Sequence, residues 1–398
     1  MTRGPGIART LLPKGFKANG VNCGVRRYRP DLGILISEED AVGVGMFTLN
    51  ECRAAPVLYS QKMVPSKHIR AIITNSGQAN AATGPEGVET NLKMAEAAAR
   101  SLGCNTHQVL TASTGVIGQP MEIEKIVGAV GDLVHNAGGS AEPFALAILT
   151  TDLVPKTVTT TVQLSGGQIR ITGIAKGSGM IHPNMATMLG YLLTDVALPL
   201  DVAQDMLTSV TNETFNMISV DGDTSTNDAV FLMANGASGV KLNDDADYAA
   251  VKKALLEVSK VLSQAIARDG EGATKLVEVN LKGSHDLALA RKAARGITVS
   301  PLIKTAIHGA DPNWGRILAR LGAEGIPAAS LDKLSLKIQG KKVMEKGRPV
   351  AFDRGELSTL LRQDLIKIQV DLFSGDQEAT AWGCDLSKKY VEINTEYS

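Results

Sequence analysis

Hydrophobic and polar positions alternate in short segments along the whole chain. Four segments rich in β-branched residues predict strands, at residues 34–37, 71–74, 168–174 and 277–281. In the last third, apolar residues recur at every second position over 334–338 and 366–372. Period two with polar partners indicates strands buried on one face, so the sequence predicts an antiparallel or mixed sheet.

Helical periodicity is clearest in three segments, at residues 90–102, 247–267 and 355–365. The second has Val251, Leu255, Val258, Leu262 and Ile266 on one stripe, with Gly270 just beyond its end. Strands and helices therefore alternate, which predicts an α/β protein. The chain has no internal repeat, low-complexity segment or long linker, so we expect one interwoven body.

Composition and charge exclude several classes of function. The 398 residues include 41 Lys plus Arg and 41 Asp plus Glu, with no block of like charge. This argues against nonspecific binding to nucleic acid or to an anionic membrane. Four widely spaced cysteines do not indicate a zinc site or a disulfide framework. No apolar run has the length of a membrane span or a signal peptide, so we expect a cytoplasmic protein.

Three stretches of small and polar residues interrupt the apolar pattern, at 112–118, 176–189 and 221–228. The third resembles a calcium loop, but the required Gly and Glu positions hold Thr226 and Leu232, which excludes an EF-hand. It is either a polar turn or a segment that holds a site together. In the second, Pro183 follows the Gly177-Ser178-Gly179 sequence and breaks any helix there, which disfavours a nucleotide loop.

Two residues of the second stretch are candidates for ligand binding or catalysis. Lys176 is followed by eighteen residues with no other Lys, Arg, Asp or Glu. It lies either at a surface turn or in a site for an anionic ligand. Thr187 is a poor nucleophile without a base. If the bond before it is cut, its own α-amine can serve as that base near neutral pH; otherwise it is an ordinary β-branched strand residue.

The segment 176–189, KGSGMIHPNMATML, resembles the self-cleavage motif of the ornithine acetyltransferase family, which includes bifunctional glutamate N-acetyltransferases. Seven further segments match that family in order: GFKANGV at 15–21, NSGQANA at 75–81, STGVIG at 113–118, DGDTSTND at 221–228, RDGEGATK at 268–275, DPNWGR at 311–316 and YVEIN at 390–394. Matches over nearly the whole chain make the resemblance specific.

The resemblance implies self-cleavage between Ala186 and Thr187. The products are an α chain of residues 1–186 and a β chain of residues 187–398, interwoven in one catalytic unit and typically assembled as an α₂β₂ heterotetramer. The implied fold is a layered αββα arrangement like that of N-terminal-nucleophile enzymes, with mixed or antiparallel sheets. The implied roles are Thr187 as nucleophile, Thr114 and Gly115 as the oxyanion hole, and Thr150, Lys176, Thr187, Glu271 and Asn394 as substrate contacts.

The activity implied by the resemblance is transfer of an acetyl group from N²-acetylornithine to glutamate in arginine biosynthesis. Acetyl-Thr187 is the intermediate of a ping-pong reaction. We expect no metal and no bound cofactor, while acetyl-CoA stays open as a second acetyl donor. Two alternatives remain: an N-terminal-nucleophile amidohydrolase or aminopeptidase, in which water accepts the acyl group, and a non-catalytic amino-acid-binding homologue.

Overall fold

Helices and strands follow one another along the residues that the computed structural model describes, 10–182 and 188–395. The strands are β1 Phe16–Val21, β2 Leu32–Phe47, β3 Ser66–Gln78, β4 Val109–Val116, β5 Lys156–Leu164, β6 Gly167–Lys176, β7 Leu189–Thr194, β8 Ile218–Ser219, β9 Ala229–Ala234, β10 Leu276–Ser284, β11 Ser335–Ile338, β12 Lys341–Glu345, β13 Arg348–Pro349, β14 Leu365–Asp371 and β15 Gln377–Cys384. The helices are α1 Ala55–Met63, α2 Gly84–Leu102, α3 Ile123–His135, α4 Glu142–Ala147, α5 Leu200–Glu213, α6 Asp245–Arg268, α7 Leu287–Val299, α8 Pro301–His308, α9 Trp314–Ala323, α10 Ala328–Leu331, α11 Arg354–Leu360 and α12 Lys388–Thr395.

The chain divides into two units, each built around one sheet. The first unit comprises Met1–Gly177, Asn184–Asn212 and Thr224–Leu262, and the second comprises Ser178–Pro183, Glu213–Asp223 and Ser263–Ser398. Both units therefore draw residues from either side of position 186. The predicted chain boundary does not coincide with a boundary between units, and self-cleavage stays a prediction.

The sheet of the first unit is mixed, with strand order β4-β3-β2-β9-β7-β6-β5 and β1 added beside β2. β3 pairs parallel with β4, and β7 pairs parallel with β9. The remaining pairs in this sheet are antiparallel. Hairpin-type and crossover connections therefore occur in the same sheet.

Both faces of the first sheet are buried around β2 and β3. Ile34 and Ile73 face a core that includes residues of α2 and α3. Leu35 and Ile72 face the opposite core, which contains Phe144 of α4 and the aromatic residues of β7 and β9. Burial of both faces explains the consecutive apolar residues at 34–36 of β2 and 71–73 of β3.

The second sheet has the order β13-β12-β11-β14-β10-β15-β8 and is also mixed. Its strands show the predicted half-burial: along β14, Ile366, Ile368 and Val370 are buried while the residues between them are exposed. Helix α7 lies against β10 and β15 and begins at Asp286, whose side chain accepts hydrogen bonds from the amides of residues 288 and 289. Layers of helices on mixed sheets confirm the predicted α/β class.

The predicted elements are all present, but several have different bounds. Strands β2 and β3, for example, are longer than the predicted segments 34–37 and 71–74. Helix α2 begins at Gly84, six residues earlier than predicted, and Pro85 lies in its first turn, where proline is tolerated. The helix predicted over 355–365 ends at Leu360, so its last residues were wrong. Leu365 instead begins β14, where it pairs with Leu276 of β10. Within the described residues, no helix is long and apolar enough to cross a bilayer.

Candidate active site

Lys176 is a buried cation at the end of β6. Its Nζ donates hydrogen bonds to Thr114 Oγ1 (3.2 Å) and Thr150 Oγ1 (2.9 Å). The residue is 4% exposed, which excludes the surface-turn alternative. The structure thus brings together three of the predicted site residues, supplied by β4, by the segment after α4 and by β6.

Asp152 lies next to Lys176 and also contacts Lys156 and Gly177. Its Oδ1 accepts from Lys156 Nζ (2.7 Å) and from the Gly177 amide (2.7 Å), and its Oδ2 lies 3.9 Å from Lys176 Nζ. Burial by itself raises the pKa of this carboxyl, but the charges of Lys176 and Lys156 hold the pKa well below its usual range. Two ammonium groups around one carboxylate leave these three residues with a net positive charge, which favours an anionic ligand.

The contact with Lys176 determines what the hydroxyl of Thr114 can do. An ammonium group has three donors and no acceptor, so the Thr114 oxygen must accept from it. The hydroxyl hydrogen of Thr114 is then directed elsewhere and can donate to a second acceptor. A donor polarised by an adjacent cation suits the stabilisation of an oxyanion.

Gly115 follows at a point where β3 and β4 approach closely. It pairs with Gly77 and has a φ of +131°, in the region that favours glycine. A Cβ at Gly115 would lie 2.2 Å from the carbonyl carbon of Gly77. Backbone packing therefore requires glycine at this predicted oxyanion position.

The polar stretch at 221–228 holds the end of β4 in place, as one of its two interpretations proposed. Asn227 Nδ2 donates to the carbonyl oxygens of Ala79 (2.5 Å) and Ser113 (2.9 Å). Ser113 Oγ in turn donates to Asn75 Oδ1 (2.5 Å). Buried polar groups that satisfy one another in this way fix the backbone leading into Thr114.

Glu271 and Asn394 belong to the second unit. Asn394 Nδ2 donates to Glu271 Oε2 at 2.8 Å, and the Glu271 amide donates to the carbonyl of Ser178 at 2.9 Å. A Cβ at Gly179 would lie 2.4 Å from the Glu271 carboxyl carbon, so the glycine of the Lys176–Leu189 segment admits this side chain. The exposed Asn394 and the partly buried Glu271 form a polar pair that can bind a cationic group.

Asp221 contacts the same part of the second unit. It begins the polar stretch at 221–228, but the sequence assigned it no role of its own. Its carboxylate accepts from the amides of Met180 (2.6 Å) and Ile181 (2.8 Å), which fixes the backbone after Gly179. Burial raises the pKa of Asp221, although these amide bonds oppose the increase. The hydroxyl of Tyr390 lies 3.4 Å from Asp221 Oδ2. The motif at 221–228 therefore serves both units, with its first residue in one and its last residues in the other.

Ala186 and Thr187, the predicted cleavage site and nucleophile, lie outside the described residues. Asp152 was missed as a site residue because an isolated carboxylate in sequence gives no sign of burial. A search of residues 10–182 and 188–395 finds no group of three His, Cys, Asp or Glu side chains arranged to hold a metal ion.

Comparison with known proteins identifies the family. The ArgJ family model matches residues 17–398. This chain belongs to the ArgJ family. The arginine biosynthesis bifunctional protein ArgJ of Oceanobacillus iheyensis is 44% identical, over 97% of this chain and 95% of that protein.

Two solved structures of relatives were also compared. The arginine biosynthesis bifunctional protein ArgJ of Bacillus halodurans is 42% identical, with a TM-score of 0.51 over 53% of this chain and all of the solved chain. An ornithine acetyltransferase of Mycobacterium tuberculosis, solved with ornithine, is 35% identical, with a TM-score of 0.42 over 44% of this chain and 97% of that chain. The family model and the sequence identity to curated relatives confirm the family that the sequence motifs suggested.

Proposed function

We propose that this protein is an acetyltransferase of arginine biosynthesis, which transfers the acetyl group of N²-acetylornithine to glutamate. Its membership of the ArgJ family and the name of its Oceanobacillus iheyensis relative support that pathway. The observation that carries the proposal is the buried Lys176, hydrogen-bonded to both Thr114 and Thr150. This arrangement places a cation that can bind an anionic group beside the hydroxyl of Thr114, a donor that the cation polarises.

Substrate binding follows from the charges of these residues. N²-acetylornithine and glutamate share an α-carboxylate, and Lys176 supplies a cation for it. The hydroxyl of Thr150 is already oriented by Lys176 and can contact the same substrate. Glu271, paired with Asn394, suits the cationic side chain of ornithine. A buried ion pair formed on binding offsets the cost of desolvating Lys176.

The reaction then proceeds in two acyl transfers. The Thr187 hydroxyl attacks the acetyl carbonyl carbon while the Thr187 α-amine takes its proton, and the resulting tetrahedral oxyanion accepts hydrogen bonds from Thr114 and Gly115. The C–N bond to ornithine breaks, the amine leaves with a proton, and acetyl-Thr187 remains. The amine of glutamate attacks that ester and releases Thr187 with N-acetylglutamate as product.

The chains formed by cleavage and their assembly are part of the same proposal. Cleavage before Thr187 exposes the α-amine that the mechanism uses as its base. The two chains then form the catalytic unit together, and we propose an α₂β₂ heterotetramer with small-molecule substrates and no bound cofactor.

The test compares the wild-type protein with Thr187→Ala. On a denaturing gel the wild type should give two fragments, while the variant should remain one chain and produce no N-acetylglutamate. The assay supplies acetylornithine with and without glutamate, and separately acetyl-CoA with glutamate. Formation of acetylglutamate from acetyl-CoA would add that donor to the activity.

Three results would contradict the proposal. Ornithine release at the same rate without glutamate would indicate an amidohydrolase. Substrate binding without turnover in fully cleaved protein would indicate a non-catalytic homologue. Two fragments from Thr187→Ala would remove Thr187 from the cleavage reaction.

A further inference from the structure

Gly179 lies between two residues whose backbone is fixed by hydrogen bonds. Before it, Ser178 is 1% exposed; its hydroxyl donates to a backbone carbonyl at 2.7 Å, and its own carbonyl accepts from the Glu271 amide at 2.9 Å. After it, the Met180 amide donates to Asp221 Oδ2 at 2.6 Å. The backbone at Gly179 is therefore held from both sides and cannot easily move away from the groups that it faces.

The carboxylate of Glu271 occupies the space that a side chain at Gly179 would fill. A Cβ at this position would lie 2.4 Å from the carboxyl carbon and 2.4 and 2.5 Å from the two carboxyl oxygens. Carbon atoms in contact lie about 3.5–4.0 Å apart, so the Cβ and the carboxylate exclude each other. The φ of Gly179 lies outside the left-handed region. Space, and not backbone conformation, therefore requires glycine here.

Asn394 orients the same carboxylate from another side. Its Nδ2 donates to Glu271 Oε2 at 2.8 Å and to the Tyr390 carbonyl at 3.0 Å, so both donors of this amide group are used. A carboxylate has about four lone-pair sites, and one accepted hydrogen bond leaves it able to bind an ammonium group. Asn394 is exposed and Glu271 is only partly buried, so a ligand can reach the pair.

We propose that Gly179 is a specificity-determining residue for a cationic substrate side chain, because its missing Cβ sets where the Glu271 carboxylate lies. The inference rests on the function proposed above, in which this carboxylate binds the side-chain ammonium group of ornithine. A methyl group at position 179 would move the carboxylate by about 1 Å or more. The carboxylate gives way rather than the backbone, since it ends a flexible side chain while the backbone is fixed.

The test compares Gly179→Ala with the wild type on two donors that differ in one group. N²-acetylornithine and N²-acetylnorvaline share an α-carboxylate and a carbon chain, but only the first ends in an ammonium group. The ratio of their kcat/KM values in the cleaved fraction therefore measures recognition of that cation. Gly179→Ala should lower this ratio at least about tenfold, because a displaced charge no longer meets the ammonium group. Its Tm should stay within about 3 °C of the wild type.

A double-mutant cycle shows whether Gly179 acts through this carboxylate. Glu271→Gln keeps the shape of the side chain and removes its charge, so it should lower the donor ratio by itself. Adding Gly179→Ala to Glu271→Gln should change the ratio by less than about twofold, because the displaced group no longer carries a charge. Two independent effects that multiply would overturn the inference.

Gly43→Ala is the matched control for a steric collision. Gly43 lies in β2, its φ is also outside the left-handed region, and a Cβ there would lie 2.4 Å from Cγ1 of the buried Ile69. This collision is with a core side chain, so Gly43→Ala should lose more thermal stability than Gly179→Ala. Its donor ratio should stay at the wild-type value. An equal fall in the ratio would show that destabilisation alone changes it, which overturns the inference.

Calorimetric titration with ornithine and norvaline measures the same preference without acetyl transfer. The wild type should bind ornithine more tightly, and Gly179→Ala should lose at least about tenfold of that preference. A wild type that shows the preference but transfers no acetyl group would contradict the proposed function and support the inference. An unchanged preference in Gly179→Ala overturns the inference, and so does its failure to fold, because the backbone would then give way instead of the carboxylate.

Discussion

Thr114 illustrates how one contact can specify a residue's chemical role. Valine has the same β-branched shape, so Thr114→Val removes the hydroxyl while leaving strand β4 intact. The oxygen that accepts from Lys176 and the hydrogen that it directs outward are both lost. The prediction is therefore a test of catalysis rather than of packing.

Thr114→Val should lower kcat by about 10²–10³, the usual effect of losing one oxyanion donor. KM for acetylornithine should change far less, because the ground-state amide carries little of the charge that this donor stabilises. Steady-state kinetics on the fully cleaved fraction make the measurement. Wild-type turnover in that fraction would leave Thr114 with a structural role only.

At the residue scale, sequence motifs identified Thr114, Thr150 and Lys176, and the structure brings those three together. They did not identify Asp152. A carboxylate acquires its role here from burial and from partners far away in the chain, such as Gly177 for Asp152. Those partners are defined by tertiary structure, so spacing within one segment could not reveal them.

Among the elements, β3 and β4 approach most closely at a glycine pair. A Cβ at Gly115 would collide with the backbone of Gly77, whereas one at Gly118 would meet nothing within 4 Å. Both glycines have positive φ, +131° and +80°. An alanine at Gly118 would therefore meet backbone strain alone, whereas an alanine at Gly115 would meet backbone strain and a steric collision.

Gly115→Ala should reduce the free energy of unfolding by roughly 2–5 kcal/mol, because overpacking adds to the strain of the backbone. Gly118→Ala, the control, should cost only about 1 kcal/mol. Urea denaturation of both variants makes the comparison. Equal losses would show that β3 and β4 separate easily at this point.

Element prediction from the sequence succeeded where burial is one-sided and failed at ends fixed by tertiary contacts. The alternating residues of β14 were read correctly because one face of that strand is exposed. The end of the helix before that strand was misplaced, since local helix-forming residues continue up to the point where Leu365 pairs with β10. The early start of α2 was hidden by its glycines.

For the whole molecule, the sequence predicted an interwoven body, and the structure shows how the chain is distributed. Each of the two units contains residues from three separate stretches of chain. The motif at 221–228 contributes to both units, which no linear division of the sequence into domains could anticipate. Family resemblance supplied the function, because position 187 alone is indistinguishable from a strand threonine.

The order of strands in the first sheet determines whether the cleaved protein unfolds into one polypeptide or two. β9 and β7 follow position 187 in the chain, yet they lie between β2 and β6, which precede it. After cleavage, two ladders of backbone hydrogen bonds join separate polypeptides, and complete unfolding releases two molecules instead of one.

The Tm of cleaved protein should therefore rise with concentration more steeply than that of uncleaved Thr187→Ala. Calorimetry at two concentrations tenfold apart measures the difference, and parallel shifts in the two proteins would contradict it. Cleavage would thus replace a peptide bond by a noncovalent association of two chains, and the stability of that association depends on protein concentration.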